Sequence, residues 1–183
     1  KEIAQSYVDA GAHVLATNTF NANSISQSDY GMEGVSADIN RAAGQILRDV
    51  VDDAVRKNPS RPCFVVGAVG PTNKTLSVSP DVENPGHRDV SFDDMKAVYR
   101  EQVDALLEGG VDFILVETIF DTLNAKAALM AVAEAGDALG EDIPVMVSLT
   151  ITDMAGRNLS GQTPEAFWYS IRHVNPLTIG LNC

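Results

Sequence analysis

Five short apolar segments recur along the chain, and they limit the possible folds more than any other feature of the sequence. They begin about 50, 49, 32 and 33 residues apart, and helical patterns separate them. Continuously apolar strands are typical of parallel sheets covered on both faces, and the helices between them supply the crossovers. The sequence therefore predicts an α/β fold with five parallel strands. We place these strands at residues 14–20, 64–69, 112–117, 144–150 and 178–183.

Helical periodicity and capping residues divide the rest of the chain. Ser91 with Asp94 forms a pattern like a capping box, Asp121 stands at an N-cap position, and Thr163 precedes a proline at the first helical position. Residues 21–35 and 71–88 are predicted to be loops. The predicted helices cover 1–12, about 37–57, 92–108, 122–136 and 164–173.

Two architectures accommodate five such units. One is a complete, doubly wound five-stranded sheet, and the other is a segment of a (β/α)8 TIM-type barrel. The sequence starts inside a predicted helix and stops on a predicted strand, whereas a doubly wound domain usually starts with a strand and closes with a helix. We therefore expect residues 1–183 to be a partial barrel domain that contains strands 2 to 6 of 8.

Composition and charge exclude several classes of function. The net charge of −12 on 183 residues disfavours binding to nucleic acid. The longest apolar stretches have about seven residues, far fewer than the roughly 20 that a membrane helix needs. The N-terminal residues lack the pattern of a signal peptide, and two cysteines cannot form a disulfide framework. We therefore expect a cytoplasmic protein that uses neither a membrane nor nucleic acid.

Polar residues collect at the carboxyl ends of all five predicted strands. In a barrel these ends meet at one mouth, where active sites form. Glu117 is the strongest candidate, because its carboxylate follows a buried strand and needs a partner. Asp121 is a candidate either for a helix cap or for a ligand contact. The polar strand ends are Asn18–Thr19, Gly70–Thr72, Glu117–Thr118, Thr150–Asp153 and Asn182–Cys183.

Most familiar catalytic motifs are absent. The sequence contains no dinucleotide-binding, Walker A, zincin or nucleophile-elbow motif. The three histidines stand apart without metal-ligand spacing. Cys63 precedes a strand and is expected to be structural, while Cys183 ends a strand and could be either an inert apolar residue or a metal ligand.

Several longer strings resemble the homocysteine-binding barrel of the cobalamin-dependent methionine synthases. The resemblance runs along the whole chain, in order and with matching gaps. The strings are Thr17–Asn21, Gly70–Thr75 with Ser79–Val82, Glu117–Ala128, Thr150–Asp153 with Gly156–Arg157 and Leu159–Thr163, and Gly180–Cys183.

This resemblance implies a chemistry and a set of residues. In that family a barrel holds Zn²⁺ through three cysteines, and the zinc-bound homocysteine thiolate takes a methyl group from cobalamin. Cys183 corresponds to the first zinc ligand, and Glu117 to the residue that receives the homocysteine ammonium. Asn18, Thr19 and Phe20 correspond to the lining of the amino-acid pocket. The other two zinc cysteines, like the cobalamin and folate domains, belong to parts of the family's chain beyond these residues.

Two other functions remain open from the sequence. One is a stand-alone homocysteine methyltransferase with another methyl donor, and the other is a non-catalytic α/β binding module. We expect the 183 residues alone to be inactive, because they supply one zinc ligand. We also expect them to self-associate, because five barrel strands leave two open edges.

Overall fold

Five parallel strands alternate with helices along the chain, which is the α/β arrangement that the sequence predicts. The computed structural model describes all 183 residues. Short 3₁₀ turns at Ser28–Tyr30, Glu33–Val35 and Arg172–Val174 supplement the main elements. In chain order these elements are α1 (Glu2–Asp9), β1 (Val14–Ala16), α2 (Ser24–Gln27), α3 (Ser36–Lys57), β2 (Phe64–Val69), α4 (Phe92–Glu108), β3 (Phe113–Ile119), α5 (Thr122–Leu139), β4 (Val145–Thr150), α6 (Pro164–Ile171) and β5 (Thr178–Asn182).

The strand order decides between the two predicted architectures. All five strands are parallel, and they follow one another across the sheet in the order β1-β2-β3-β4-β5. A doubly wound sheet reverses its strand order at a switch point, and this sheet does not. The sheet is curled like half of a barrel, which confirms the prediction of a TIM-like architecture. β1 and β5 are its edge strands.

The core lies between the convex face of the sheet and the helices. Side chains alternate along each strand, so one set points into the helix layer and the other points to the concave face. Val65, Ile114 and Val147 belong to the first set and are almost completely buried with residues of the helices. In the helix layer α3 packs against α4, and α4 packs against α5. This arrangement leaves the carboxyl ends of the strands uncovered by the helices.

The helix boundaries follow the capping chemistry of the sequence. Ser91 and Asp94 form a reciprocal capping box at the start of α4, and Asp121 caps α5. Thr163 accepts a hydrogen bond from the Ala166 amide at the start of α6. These three predicted caps are confirmed.

Two predicted segments differ from the structure. The first strand is shorter than predicted, since residues 17–20 continue beside β2 outside the regular ladder. The predicted loop 21–35 contains the four-residue helix α2, which Asn23 caps through a hydrogen bond from the Ser26 amide. None of the helices has the length and apolar character that crossing a membrane requires.

Candidate active site at the carboxyl ends of the strands

Glu117 lies near the carboxyl end of β3, at the mouth of the half-barrel. Its side chain is half-buried, and its carboxylate makes no hydrogen bond or ion pair with any other residue. Burial raises the pKa of the Glu117 carboxyl above its ordinary value, because the charged form loses water without gaining a cationic partner. A carboxylate in this state is poised to receive a cation or a hydrogen-bond donor.

A bulge in β3 follows Glu117 directly. Val116 pairs with Val147, whereas Ile119 pairs with Leu149, so three steps along β3 match two steps along β4. The additional residue is accommodated by Thr118, which has a φ of 52°. A β-branched residue rarely adopts this left-handed conformation, and such strain concentrates at functional sites. The bulge lets both Val116 and Ile119 point into the core while Glu117 remains at the mouth.

A small pocket of about 10 Å³ adjoins the Glu117 side chain. Gly70 and Pro71 form one side, and Tyr99 and Asp121 contribute to its lining. Tyr99 is 2% exposed, and its pKa is raised mainly by burial and further by the negative charge of Asp121. The hydroxyl of Tyr99 therefore stays protonated throughout the physiological range. The pocket has apolar walls beside a free carboxylate, and its volume leaves room for about one water-sized polar group.

The two carboxylate oxygens of Asp121 accept hydrogen bonds from five donors within the protein. The carboxylate is 3% exposed and accepts hydrogen bonds from the amides of Leu123 and Asn124, which caps α5. It also accepts from the amides of Leu76 and Ser77 and from the Ser77 hydroxyl, at 2.6–3.1 Å. Of the two roles that the sequence left open, the structure shows the helix cap. Its two oxygens already receive five donors, and a direct contact between Asp121 and a ligand stays a prediction.

The long loop between β2 and α4 is held against α5 by these contacts. Asn124 adds two more, accepting from the Leu76 amide and donating to the Lys74 carbonyl at 2.8–2.9 Å. Arg88 closes the loop on itself by donating to the carbonyls of Leu76 and Ser77. Residues 70–77, called the 70–77 wall below, are therefore fixed to α5, and Gly70 and Pro71 of this wall line the pocket beside Glu117.

Asn18, Thr19 and Phe20 do not all face the mouth. Asn18 and Phe20 are exposed, and Phe20 lies against Gly70, where an added Cβ would come within 2.8 Å of the Phe20 ring. Thr19 points the other way and is fully buried, with its hydroxyl donating to the Ala68 carbonyl at 2.7 Å. Strand-like alternation turns the Thr19 side chain toward the helix layer, and a place for Thr19 in the lining of the amino-acid pocket stays a prediction.

The last two strands carry a polar ladder on the concave face. Asn182 donates to the Ser148 hydroxyl at 2.8 Å and accepts from the Thr150 hydroxyl at 2.6 Å. This ladder holds the end of β5 against β4, directly before Cys183. The predicted polar strand ends thus meet at one edge of the sheet, as a barrel mouth requires.

Cys183 is an exposed thiol at this edge, and Cys63 is buried before the first residue of β2, at the opposite ends of the strands. No group of three or more His, Cys, Asp or Glu side chains in the 183 residues is arranged to hold a metal ion. A tight zinc site needs at least three protein ligands. Cys183 alone therefore does not fit a zinc ion.

Two buried amides near the site were missed by the sequence analysis. Gln102 is 1% exposed on α4 and Asn40 is completely buried on α3. Both occupy positions in otherwise apolar helix stripes, at three- and four-residue spacing from apolar neighbours such as Tyr99, Leu106 and Ala43. A polar residue inside an apolar stripe is the signal that identifies them, because burial of an amide is costly without a specific partner.

Comparison with known proteins agrees with this geometry. The family model for homocysteine S-methyltransferase matches residues 1–183. The crystal structure of the homocysteine methyltransferase MmuM from Escherichia coli, in its metallated form, superposes with a TM-score of 0.77 at 23% identity. The match covers 100% of this chain and 62% of that chain. The oxidised form of MmuM gives a TM-score of 0.76 at 22% identity, with 100% and 61% coverage.

The fold itself extends to proteins of other chemistry. The crystal structure of a putative phosphonomutase from Burkholderia cenocepacia J2315 matches with a TM-score of 0.54 at 14% identity, covering 97% of this chain and 63% of that one. The chain thus spans about three fifths of the length of the structures it resembles. Structural likeness at these identities establishes the barrel-like fold, and the family model adds the sequence-level assignment over all 183 residues. The chain belongs to the homocysteine S-methyltransferase family.

Proposed function

We propose that these residues form the homocysteine-binding part of a methyltransferase that converts homocysteine to methionine. Family membership over the whole chain supports homocysteine as the methyl acceptor. The resemblance of Glu117–Ala128, Ser79–Val82 and Gly180–Cys183 to cobalamin-dependent methionine synthases supports methylcobalamin as the donor. The proposed partners are homocysteine, cobalamin- and folate-binding domains and, for the 183 residues alone, a second copy of the chain.

The free carboxylate of Glu117 is the observation that carries this proposal. Homocysteine is a zwitterion at neutral pH, and its ammonium needs an anionic partner once it leaves water. Glu117 is half-buried, lacks a cation of its own and borders a pocket with apolar walls. An ammonium bound there would lower the raised pKa of the carboxyl and remove the cost of its burial.

The remaining site residues divide into contacts and supports. Asn18 and Phe20 are proposed to contact the amino acid, because both are exposed on the mouth side of the chain. Thr19 and Asp121 are proposed as supports: Thr19 anchors the 18–20 segment to β2, and Asp121 anchors the 70–77 wall to α5. The binding pocket is thereby held before the substrate arrives, which limits the entropy that binding must offset.

Cys183 is proposed as one zinc ligand. Its place at the carboxyl end of β5 is where a barrel enzyme collects reactive groups. One thiolate does not satisfy zinc, so any zinc site must take its remaining ligands from residues outside the 183 described here. Metal analysis of the intact natural protein and of its Cys183→Ala variant tests this ligand assignment.

Substitution of Glu117 by glutamine tests the proposal most directly. In the intact natural protein, Glu117→Gln should weaken homocysteine binding by about ten- to a hundredfold, because a charge-assisted hydrogen bond contributes roughly 1.5–3 kcal/mol. Titration calorimetry measures this loss, and zinc content should stay unchanged. Glu101→Gln is the matched control, since Glu101 is exposed on α4 and has no partner. Equal homocysteine affinity in both variants would contradict the assignment.

A second candidate differs in the methyl donor. The family model names homocysteine S-methyltransferase without a donor, so it accommodates equally a stand-alone enzyme that uses another methyl donor, such as a sulfonium or betaine compound. Methionine formation by the intact protein from homocysteine and each donor separates the two. Turnover that requires methylcobalamin supports the first proposal. Turnover with a sulfonium or betaine compound in the absence of cobalamin supports the second.

A further inference from the structure

A buried polar brace connects the helix layer to the mouth segment 18–20. Gln102 on α4 donates from Nε2 to the Thr19 carbonyl at 2.8 Å and to Asn40 Oδ1 at 3.3 Å. Asn40 on α3 donates from Nδ2 to the Ala22 carbonyl at 2.6 Å and to the Ser36 carbonyl at 2.8 Å. Two helices thereby hold the backbone on either side of Phe20.

The brace is completed from the sheet side. The Gly70 amide donates to the Phe20 carbonyl at 2.9 Å, and the Thr19 hydroxyl donates to the Ala68 carbonyl at 2.7 Å. Gln27 donates to the Asn21 carbonyl at 2.9 Å. The four consecutive backbone carbonyls of residues 19–22 therefore all accept hydrogen bonds. The segment that presents Asn18 and Phe20 lies outside the regular strand ladder, so these contacts replace the ladder in fixing its position.

The polar side chains of the brace stabilise the fold less than apolar side chains in the same space would. Gln102 Oε1, Ser36 Oγ and Asn23 Nδ2 are buried polar atoms without a hydrogen-bond partner. Leaving such atoms unpaired is destabilising, and an apolar residue would avoid this. The other inward residues of α4 are apolar, among them Met95, Val103 and Leu106. The amide at position 102 is therefore best explained by what its Nε2 group holds.

We propose that Gln102 and Asn40 are positioning residues that hold Asn18 and Phe20 in the geometry that binds the amino-acid substrate. They act through the carbonyls of Thr19 and Ala22 and do not touch the substrate themselves. This inference rests on the proposed homocysteine site, and it adds two residues of the helix layer to it.

The Gln102→Met variant tests the brace with little change in side-chain volume. In the intact protein we expect the KM for homocysteine to rise about fivefold while kcat stays within twofold, because one hydrogen bond to the segment is lost. Val103→Ala is the matched control on the same helix, since Val103 is fully buried and its side chain forms no hydrogen bond with residues 18–20. It should lower the melting temperature and leave KM unchanged. An unchanged KM in Gln102→Met would overturn the proposal.

Hydrogen exchange provides a measurement that does not depend on homocysteine. The Gly70 amide reports on the segment, because it donates to the Phe20 carbonyl. In Gln102→Met its exchange should accelerate at least tenfold relative to amides of β4, whereas Val103→Ala should change both alike. Asn40→Ala should act in the same way as Gln102→Met, and it replaces that variant if Gln102→Met does not fold. If the Gly70 amide and the β4 amides accelerate equally in both brace variants, the proposal is overturned even if the protein methylates homocysteine. If the Gly70 amide alone accelerates, the brace is supported even if homocysteine proves not to be the substrate.

Discussion

Asp112 and Glu117 lie at opposite ends of β3, and only the carboxylate of Asp112 has hydrogen-bond partners in the protein. Asp112 precedes β3, accepts the Val65 amide at 2.6 Å and pairs with Arg48 at 2.9–3.0 Å. Glu117, near the other end of β3, has no partner, and burial raises its pKa. The carboxylate at the amino end of β3 stabilises the fold, while the carboxylate near its carboxyl end is left without a partner. This division is the one expected of a barrel enzyme.

Asp121 shows that a carboxylate at the mouth can also be structural. It lies four residues after Glu117, and its five donors tie the 70–77 wall to α5. Proximity to the site therefore does not separate binding residues from supporting ones. The number of protein donors on each carboxylate separates the two kinds of residue. Substitutions of the carboxylates with more donors should therefore destabilise the protein more.

Asp121→Ala should have the largest effect on stability. It removes a helix cap and leaves the buried amides near Leu76 and Ser77 short of an acceptor, so we expect a loss of about 3 kcal/mol. For a chain of this size that lowers the melting temperature by roughly 10 °C. Asp94→Ala is the control, since Asp94 belongs to an exposed capping box and its loss should destabilise the protein less than the loss of Asp121. Equal losses in the two variants would show that the loop contacts of Asp121 are unimportant.

Asp112→Ala should come next and should separate stability from binding. Loss of the Arg48 pair and of the Val65 amide contact is expected to cost about 2 kcal/mol, because hydrogen bonds to a charged group are stronger than neutral ones. Thermal unfolding measures this loss, and calorimetry should find homocysteine affinity unchanged. A variant that binds homocysteine more weakly, as Glu117→Gln is expected to, would contradict the division between the two ends of β3.

Sequence patterns predicted the parts of this fold that depend on local chemistry. The apolar segments located all five strands, and Ser91, Asp121 and Thr163 located three helix starts, because a cap acts within four residues. Glu117 was identifiable as a candidate from local sequence too, since its carboxylate ends the apolar run of residues 113–116.

The features that escaped prediction depend on contacts between distant segments. The bulge after Glu117 has no glycine to mark it, and a threonine in a left-handed conformation is visible only in the paired sheet. The family resemblance implied a place for Thr19 in the amino-acid pocket, whereas the pleat turns its side chain inward. Gln102 reaches Thr19 across 83 positions of sequence, which no local pattern encodes.

Thr118→Gly should stabilise the protein. Glycine adopts a positive φ without the steric cost that a β-branched residue has, so we expect a gain of about 1 kcal/mol, or roughly 3 °C in melting temperature. Asn175→Gly provides the control, because Asn175 also has a positive φ, of 47°, and asparagine tolerates this conformation better than threonine. Calorimetric unfolding of both variants checks the expectation. A lower melting temperature for Thr118→Gly would mean that the bulge is not strained.

The smallest expected effect is the dependence of stability on the ionisation of Glu117. Its pKa in the folded protein exceeds the ordinary value of 4.5. The native state therefore binds the proton more tightly than the unfolded chain, and stability falls as pH rises through this window. Glu117→Gln abolishes the titration, so the substrate-free variant should melt slightly above the wild type at pH 7.5. This difference should shrink as pH falls and vanish below pH 4.5. Saturating homocysteine should reverse its sign at pH 7.5, because only the wild type then gains an ammonium partner. A variant that melts below the substrate-free wild type at neutral pH would show that the carboxylate already has a stabilising partner in the protein.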